Sequence, residues 1–249
     1  MKWLKTRKQR WLVPVYMIFY VISFSLLERH VTADFHLITS PLDKYIPFCE
    51  LFVVPYYLWF FYITAVLVYF IFYNESVREY NQLIFSLGIG MTLFLFISLV
   101  YPNGLNLRPA EFPRDNFFTG WVGSLYRTDT PTNVFPSIHV YNSVVACIAF
   151  RRCESLRKRR GIQISSFVLS VLIILSTVFL KQHSVSDVIS AFVLNFVVYA
   201  VIYRPDWLFS RSKKKIPNAV RELHVNCTGT KQGCGYDECA TIAPAALCP

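Results

Sequence analysis

Charged residues are scarce in this chain. They make up 16% of its 249 residues, against 54% hydrophobic residues, whereas a soluble domain usually carries about a quarter charged residues. Glycine and proline, with 9 and 13 residues, are not enriched, and no segment repeats with a period of about 20 to 50 residues. A disordered chain, a collagen and a solenoid are therefore excluded, and one integral membrane domain is the expected class.

Six apolar runs have the length that a membrane span requires, since about 17 to 25 helical residues cross a hydrocarbon core of ~30 Å. The runs cover residues 11–28, 50–73, 83–101, 134–150, 162–180 and 186–203. The first run follows a basic start but has no small-residue cleavage site, so we expect a retained helix rather than a signal peptide. The sequence predicts an all-α integral membrane protein, a bundle of six transmembrane helices.

Acidic residues are also few, and the excess of basic residues is distributed unevenly between the two sides of the bundle. The chain has 25 Lys plus Arg and 15 Asp plus Glu, a net charge of +10. Nineteen basic residues lie on one side, in residues 1–10, 74–82, 151–160 and 204–249, and six lie on the other. Because the cytoplasmic side retains positive charge, we expect both termini in the cytoplasm and no nucleic-acid partner.

The same pattern predicts three regions. Residues 1–10 are expected to form a basic cytoplasmic N-terminus, and 11–205 the membrane domain with an external loop at 102–133. Residues 206–249 are expected to form a cytoplasmic tail, basic at first and then containing cysteine. Six, four and eight residues separate the four cysteines of the tail, unlike the Cys-x-x-Cys pairs of zinc sites, so we expect no metal there.

The external loop is long for an irregular connection, and loops of that length are often functional. Its charged residues are interleaved with Phe117, Phe118 and Trp121. Two interpretations stay open, an aromatic belt with solvated charges or a lid that rests on the bilayer and binds a lipid head group. The charged residues include Arg108, Arg114, Asp115, Arg127 and Asp129.

Two histidines lie where spans are expected to begin on the outer side, and ionisable groups at membrane depth indicate function. His139 begins the fourth span, after Pro136 and Ser137. Proline suits a first helical turn, and the unpaired backbone N–H groups of that turn can bind an anion. The Ser137 hydroxyl adds another donor to this candidate anion site.

His183 precedes Asp187 by four residues at the start of the sixth span. If that stretch is helical, the two side chains share a face, and the carboxylate can accept Nδ1–H and leave Nε2 free to attack. Simpler explanations exist, because interfacial histidines are usually solvated and Asp187 could only cap the helix. Together with His139, the pattern indicates a nucleophile, its orienting acid and a second histidine for the leaving group.

These residues resemble the motifs of the type 2 phosphatidic acid phosphatase superfamily of lipid phosphate phosphatases, which read KxxxxxxRP, PSGH and SRxxxxxHxxxD. Six helices with the motifs on the outer side also fit that family. The resemblance covers about residues 11 to 205. The matching residues are Arg108 and Pro109 in the first motif, Pro136, Ser137 and His139 in the second, and Ser176, His183 and Asp187 in the third.

Three motif positions differ, because Tyr101 replaces Lys, Ile138 replaces Gly and Thr177 replaces Arg. Two phosphate-binding cations of the family are therefore absent, and each lost donor can weaken transition-state stabilisation by a few kcal/mol. The nearest replacements on the outer side are Arg127 and Lys181. The chain is also similar to a related branch, the sphingomyelin and inositol phosphorylceramide synthases, which keep a His, His and Asp set.

The resemblance implies a lipid phosphatase that needs no metal or cofactor and acts through a phosphohistidine. In it, His183 attacks phosphorus, His139 protonates the leaving alkoxide and Asp187 stabilises the imidazolium. The implied phosphate-binding residues are Arg108, Ser137, Arg127, Lys181 and Ser176.

Two other functions stay open. One is a lipid phosphotransferase of the synthase type, with a lipid alcohol as acceptor. The other is a non-catalytic membrane protein or transporter that lost its phosphate site. Tyr101 and Thr177, which replace cations of the motifs, favour this alternative. We expect a prokaryotic plasma membrane, since no retention signal ends the chain, with the site on its extracytoplasmic face.

Overall fold

The computed structural model describes residues 12–30 and 35–204, and its regular structure is mostly helical, as predicted. The basic N-terminus 1–10 and the tail 206–249, with its cysteines, lie outside the described residues. Two strands of two residues each, β1 (His36–Leu37) and β2 (Asn103–Gly104), pair in parallel. The helices are α1 (Leu12–His30), α2 (Val53–Val68), α3 (Val77–Val100), α4 (Phe117–Thr128), α5 (Ile138–Arg152), α6 (Glu154–Arg157), α7 (Arg160–Phe179) and α8 (Val185–Tyr203).

Four helical segments are long and apolar enough to cross a membrane, which indicates an integral membrane protein. They are Glu50–Tyr73, Val77–Val100, Arg160–Phe179 and Val185–Tyr203. The first consists of a 3-10 turn, α2 and a π-helical turn at Tyr69–Tyr73.

The two other predicted spans also contain helices, α1 and α5. Helix α5 has 15 residues, and at 1.5 Å per residue it reaches about 22 Å, less than a hydrocarbon core of ~30 Å. The predicted start at residue 134 is wrong as a helix boundary, because the helix begins at Ile138 after the Ser137 N-cap. The number of six spans stays a prediction.

Helix α5 is the centre of the bundle and packs against α2, α3, α7 and α8. Its approach to α3 depends on Gly90, where an added Cβ would lie 2.0 Å from Cε1 of Tyr141. The Tyr141 hydroxyl donates to the Ser86 carbonyl of α3 at 2.7 Å. Small residues commonly allow such close contacts between membrane helices, so Gly90 fixes how near α5 lies to α3.

The predicted external loop contains the amphipathic helix α4, which the sequence reasoning did not predict. Asn116 caps it by accepting the backbone N–H of Thr119 at 3.0 Å. Val122 and Leu125 are buried in one cluster with Val53, Tyr56 and Leu180, whereas Phe117 and Trp121 are exposed. The helix therefore covers the beginning of α2 with one face.

Candidate active site

His183 and Asp187 meet at the beginning of α8, where Ser184 is the N-cap. The Asp187 carboxylate accepts the backbone N–H of Ser184 at 2.9 Å and completes a capping box. The same Oδ2 atom lies 3.4 Å from His183 Nδ1. His183 precedes the first helical residue, Val185, so the pair forms by capping geometry rather than along a helix face. Asp187 both caps the helix and contacts the histidine.

His139 lies in the first turn of α5, and the residue is 9% exposed. Its ring packs against Trp59 and Tyr56 of α2, with centroid distances of 4.3 and 4.6 Å. The His183 ring centroid lies 5.7 Å away. The backbone N–H of Ser137 donates to the Asp187 carbonyl at 3.3 Å, which joins the starts of α5 and α8 and so brings the two histidines together.

Arg108 lies beside this cluster through its contact with Gln182, the residue before His183. Its Nη2 donates to Gln182 Oε1 at 2.5 Å and to the Asp129 carbonyl at 2.6 Å. Its Nη1 donates to the Tyr126 carbonyl at 3.1 Å, and its guanidinium lies 4.4 Å from the Tyr126 ring centroid. Burial lowers the pKa of Arg108 and raises that of Tyr126 to about 12. The guanidinium stays cationic, so a positive charge is fixed near His183.

Sequence reasoning missed three residues that connect this arginine to the histidines. Gln182 donates to Asp129 Oδ2 at 3.5 Å, and the Tyr56 hydroxyl donates to the same oxygen at 2.6 Å. Tyr56 in turn packs on His139. Gln182 lay within the third motif, and Asp129 within the charged loop, but nothing in the sequence distinguished Tyr56 from the other aromatic residues of its span.

Asp43 is a second buried carboxylate at the start of α8, also missed. It accepts the Ser184 hydroxyl at 2.7 Å and the backbone N–H of Val185 at 2.9 Å. Pro41 and Ser40 mark a capped turn around it, a local signal that could have indicated the turn. Its contact with α8 is long-range and had no local signal.

The Lys181 side chain donates hydrogen bonds to backbone oxygens in and just after the turn that contains Asp43. Its ammonium donates to the carbonyls of Asp43 at 2.8 Å and Ile46 at 2.5 Å. Burial lowers the pKa of Lys181, and the charge of Asp43 partly opposes this shift. The structure thus gives Lys181 a clear positioning contact, which fastens the turn to the segment before α8.

The other predicted phosphate-binding residues differ in accessibility. Arg127 is exposed in the last turn of α4. The Ser176 hydroxyl is buried and donates to the carbonyl of Ile173 within its own helix at 2.7 Å. The Ser137 hydroxyl accepts the backbone N–H of Val140 at 3.4 Å. Of these, Ser137 is nearest in the chain to the cluster of His139, His183 and Asp187.

Tyr101 and Thr177, which replace cations of the family motifs, contact other groups of the protein. Tyr101 stacks on His36 with 4.5 Å between ring centroids. The Thr177 hydroxyl donates to the Ile174 carbonyl at 2.7 Å, and the Thr177 carbonyl accepts the backbone N–H of His183 at 3.0 Å. Neither side chain supplies a positive charge to the cluster.

Several polar atoms of the cluster are buried without a hydrogen-bond partner among the described residues. They are Arg108 Nε, His139 Nδ1, Asp187 Oδ1 and Trp59 Nε1. Leaving a buried donor unpaired usually costs about 1–3 kcal/mol. The three nitrogen atoms are of the kind that can donate to the oxygens of an anion.

The fold and this site define a helical membrane protein with a buried cluster of two histidines and a carboxylate, beside a half-buried arginine. A family model described as the PAP2 superfamily matches residues 84–210, just over half of the chain and a range that contains Arg108, His139, His183 and Asp187. The chain belongs to this superfamily, as the motifs predicted. This membership indicates phosphatase-type activity on phosphate esters. Comparisons with curated proteins and with solved structures each gave no match.

Proposed function

We propose that this protein hydrolyses a membrane lipid phosphate or diphosphate through a phosphohistidine on His183. The observation that carries the proposal is the arrangement of the two histidines, whose ring centroids are 5.7 Å apart, with the Asp187 carboxylate 3.4 Å from His183 Nδ1. A carboxylate at Nδ1 favours the tautomer with a proton on that atom. The lone pair of Nε2 is then free for nucleophilic attack.

In the first step, His183 Nε2 forms a bond to phosphorus while the bond from phosphorus to the lipid oxygen breaks. His139 gives its proton to the departing alkoxide, and Asp187 stabilises the cationic imidazole ring of the phosphohistidine. In the second step, a water molecule gives a proton to His139, and the oxygen of that water attacks phosphorus. The bond from phosphorus to His183 Nε2 breaks, inorganic phosphate leaves and both histidines regain their first states.

Arg108 and the N-terminus of α5 would stabilise the charge that spreads over the phosphoryl oxygens. Arg108 Nε is a buried donor without an acceptor among the described residues, and Ser137 begins the helix turn that holds His139. We assign Ser137, Arg127, Lys181 and Ser176 supporting parts in phosphate binding, as the family resemblance implies.

A large apolar cavity supports a lipid substrate. It has a volume of about 1210 Å³ and lies between α1, α2 and α3. Trp59 and Ile138 line it, and these are a ring neighbour and the chain neighbour of His139. A hydrocarbon chain in this cavity would begin beside the histidine that protonates the leaving oxygen.

We further propose the predicted topology, with a membrane domain at 11–205, six spans, both termini in the cytoplasm and the histidines at the outer face. Its support is the direction of α5, which begins beside the histidines and ends at Arg152, about 21 Å away at 1.5 Å per residue. The most basic connection, residues 151–160, therefore lies at the end remote from the site.

The test is release of inorganic phosphate by purified protein from phosphatidic acid, phosphatidylglycerol phosphate and polyprenyl diphosphate, without added metal. We expect release by the wild type and none by His183→Ala. His36→Ala, which changes a histidine stacked on Tyr101, is the matched control and should retain activity. Activity of a folded His183→Ala protein would refute the assignment. The same donors, labelled in the phosphate, are also incubated with an added lipid alcohol. Transfer of the label to that alcohol, with no free phosphate, would instead establish the phosphotransferase.

The cavity permits a separate test of the lipid substrate. Gly88 lines the cavity, and an added Cβ there would meet no atom within 4 Å. Gly88→Leu should therefore fill space that a lipid chain uses. Because each methylene group excluded from the cavity is worth about 0.8 kcal/mol, we expect kcat/KM for a long-chain lipid phosphate to fall about tenfold. The kcat/KM for a short, soluble phosphate ester should not change. Gly161→Leu, also at an unobstructed position but away from the cavity, is the control. Equal loss for both substrates would contradict this reasoning.

A further inference from the structure

A second, smaller crevice lies between α5 and α8, near the ends of these helices that are remote from the histidines. Its volume is about 510 Å³. The two helices begin together at the active site, where Ser137 N–H donates to the Asp187 carbonyl, and so run in the same direction. The crevice is therefore separate from the cavity beside His139 and has no part in the hydrolysis proposed above.

The crevice has an apolar part and a cationic part in sequence along α5. Val144 and Ile148 line the first, and Arg151 and Arg152 line the second. Residues spaced by three, four, seven and eight positions lie on one face of a helix, so all four side chains face the same groove. The cationic part lies in the last turn of the helix, where a membrane-facing helix reaches the head-group region.

Helix α8 supplies the opposite wall. Phe192 and Phe196 line the crevice and are 45% and 72% exposed. Tyr199 lies one turn further on, where the guanidinium carbon of Arg152 is 5.4 Å from its ring centroid and the guanidinium donates to its hydroxyl. Asn195 also lines the crevice, but its amide donates to the carbonyls of Tyr141 and Ala191. Apart from it, both walls have apolar side chains toward the bundle centre and polar groups at the end.

The positive charge of the crevice is not neutralised within the described part of the chain. No carboxylate there forms an ion pair with Arg151 or Arg152. Cations do stabilise helix C-termini, and basic residues do orient membrane proteins, but neither effect requires an apolar groove directly beneath two arginines. The combination is what recognition of an anionic lipid requires, since basic pockets between membrane helices bind anionic head groups.

We propose that this crevice binds a bilayer phospholipid with an anionic head group. Arg151 and Arg152 would bind the phosphate, and the acyl chains would lie along Ile148, Phe192 and Phe196. The bound lipid contacts α5, which carries His139, and α8, which carries Asp187, so it stabilises the packing of these two helices from the opposite face of the membrane. The lipid bound in the crevice is not the substrate of the active site, because the histidines lie about 20 Å away along α5.

The test uses the purified full-length protein in nonionic detergent, titrated with phosphatidylglycerol or phosphatidylcholine. The readouts are the midpoint of thermal unfolding and the lipid retained by native mass spectrometry. A ligand that binds only the folded state raises the midpoint, and at a given concentration it raises the midpoint more the more tightly it binds. We expect phosphatidylglycerol to raise it more than phosphatidylcholine, and salt to weaken the difference.

The decisive variant is R151Q/R152Q, compared with R157Q/K158Q as its control. Both remove two exposed basic residues from the same connection, but only the first pair lines the crevice. We expect the first variant to bind phosphatidylglycerol about 30-fold more weakly, because each basic residue near a membrane surface contributes about 1 kcal/mol and every 1.4 kcal/mol is tenfold. The control should bind as the wild type does.

Ile148→Trp provides an independent variant, since it obstructs the apolar part and leaves both arginines in place. We expect Ile148→Trp to lose the stabilisation by phosphatidylglycerol. If R151Q/R152Q does not fold, Ile148→Trp alone tests whether the crevice binds the lipid. Equal weakening in R151Q/R152Q and R157Q/K158Q would overturn the proposal, because total charge rather than the crevice would then govern binding. A wild-type protein that responds equally to both lipids would overturn it as well.

Discussion

Substitution of Asp187 by Asn tests the site most directly, because one oxygen of this side chain makes two contacts of different kinds. Asp187 Oδ2 accepts the backbone N–H of Ser184 and lies 3.4 Å from His183 Nδ1. An amide oxygen in the same place could still accept both hydrogen atoms. The substitution therefore keeps the shape of the cap but removes the negative charge that stabilises a cationic histidine.

The size of the effect follows from the distance. Two unit charges 3.4 Å apart attract each other by about 5 kcal/mol at an effective dielectric constant of about 20. Even when only part of the charge on His183 has developed in the transition state, the loss corresponds to roughly 10³-fold in kcat. A carboxylate-to-amide change behind a catalytic histidine costs about 10⁴-fold in serine proteases. We expect a loss between these values for Asp187→Asn.

The assay is single-turnover phosphate release at saturating donor, with Asp43→Asn as the matched control. Asp43 is also a buried carboxylate at the start of α8, bonded to the Ser184 hydroxyl and the Val185 backbone N–H, and no contact joins it to His183 in the described structure. Its amide variant should lose about 1–3 kcal/mol of stability yet keep kcat within about tenfold. Equal kcat values in the two variants would show that capping, rather than charge at His183, explains the effect, and the assigned role of Asp187 would then be wrong.

Two further substitutions test the phosphate site and the packing of the bundle. Arg108→Lys should lower kcat/KM for phosphate release by about 10²-fold, because an ammonium cannot replace a planar guanidinium that donates several hydrogen bonds. Arg114→Lys, at an exposed position, is the control, and its kcat/KM should stay within about twofold of the wild type. Gly90→Ala should lower the thermal midpoint, because its Cβ would lie 2.0 Å from the Tyr141 ring and overpacking costs about 1–3 kcal/mol. Gly88→Ala, with no atom within 4 Å of the new Cβ, should not lower it.

The helices could be predicted from the sequence because membrane spans are long and continuously apolar. All six predicted segments contain a helix, although α5 begins four residues after the predicted start. Phe135 and Pro136 precede the Ser137 N-cap and are not helical, which hydrophobicity alone does not reveal. Helix α4 was missed for the opposite reason, since its 12 residues include Gly120 and Gly123 and it lies in a segment that is not continuously apolar.

The motifs predicted the proximity of His139, His183 and Asp187, but not the contacts around them. The motif spacing encodes the turns that hold these side chains. Asp43 contacts Ser184 across 141 positions, and Lys181 contacts the turn at Ile46 across 135. Such contacts depend on how a distant segment folds back over the bundle. Lys181 stays a predicted phosphate-binding residue, and its contacts with the backbone carbonyls of Asp43 and Ile46 had no signal in the sequence.

The electrostatics of the site show why Arg108 carries so much of the proposed chemistry. Helix N-termini have a positive charge of about half a unit, and two of them lie here. At α8, however, the carboxylates of Asp43 and Asp187 accept the N-terminal N–H groups, so that dipole is already opposed by negative charge. Helix α5 has no acidic residue in its first turn and retains its dipole. Half a unit from α5 does not replace the two cations that the family motifs would supply at Tyr101 and Thr177. Under the proposed mechanism, the half-buried guanidinium of Arg108 would therefore provide most of the stabilisation of the phosphoryl group, and we expect its loss to be more damaging here than in a site that has all three cations.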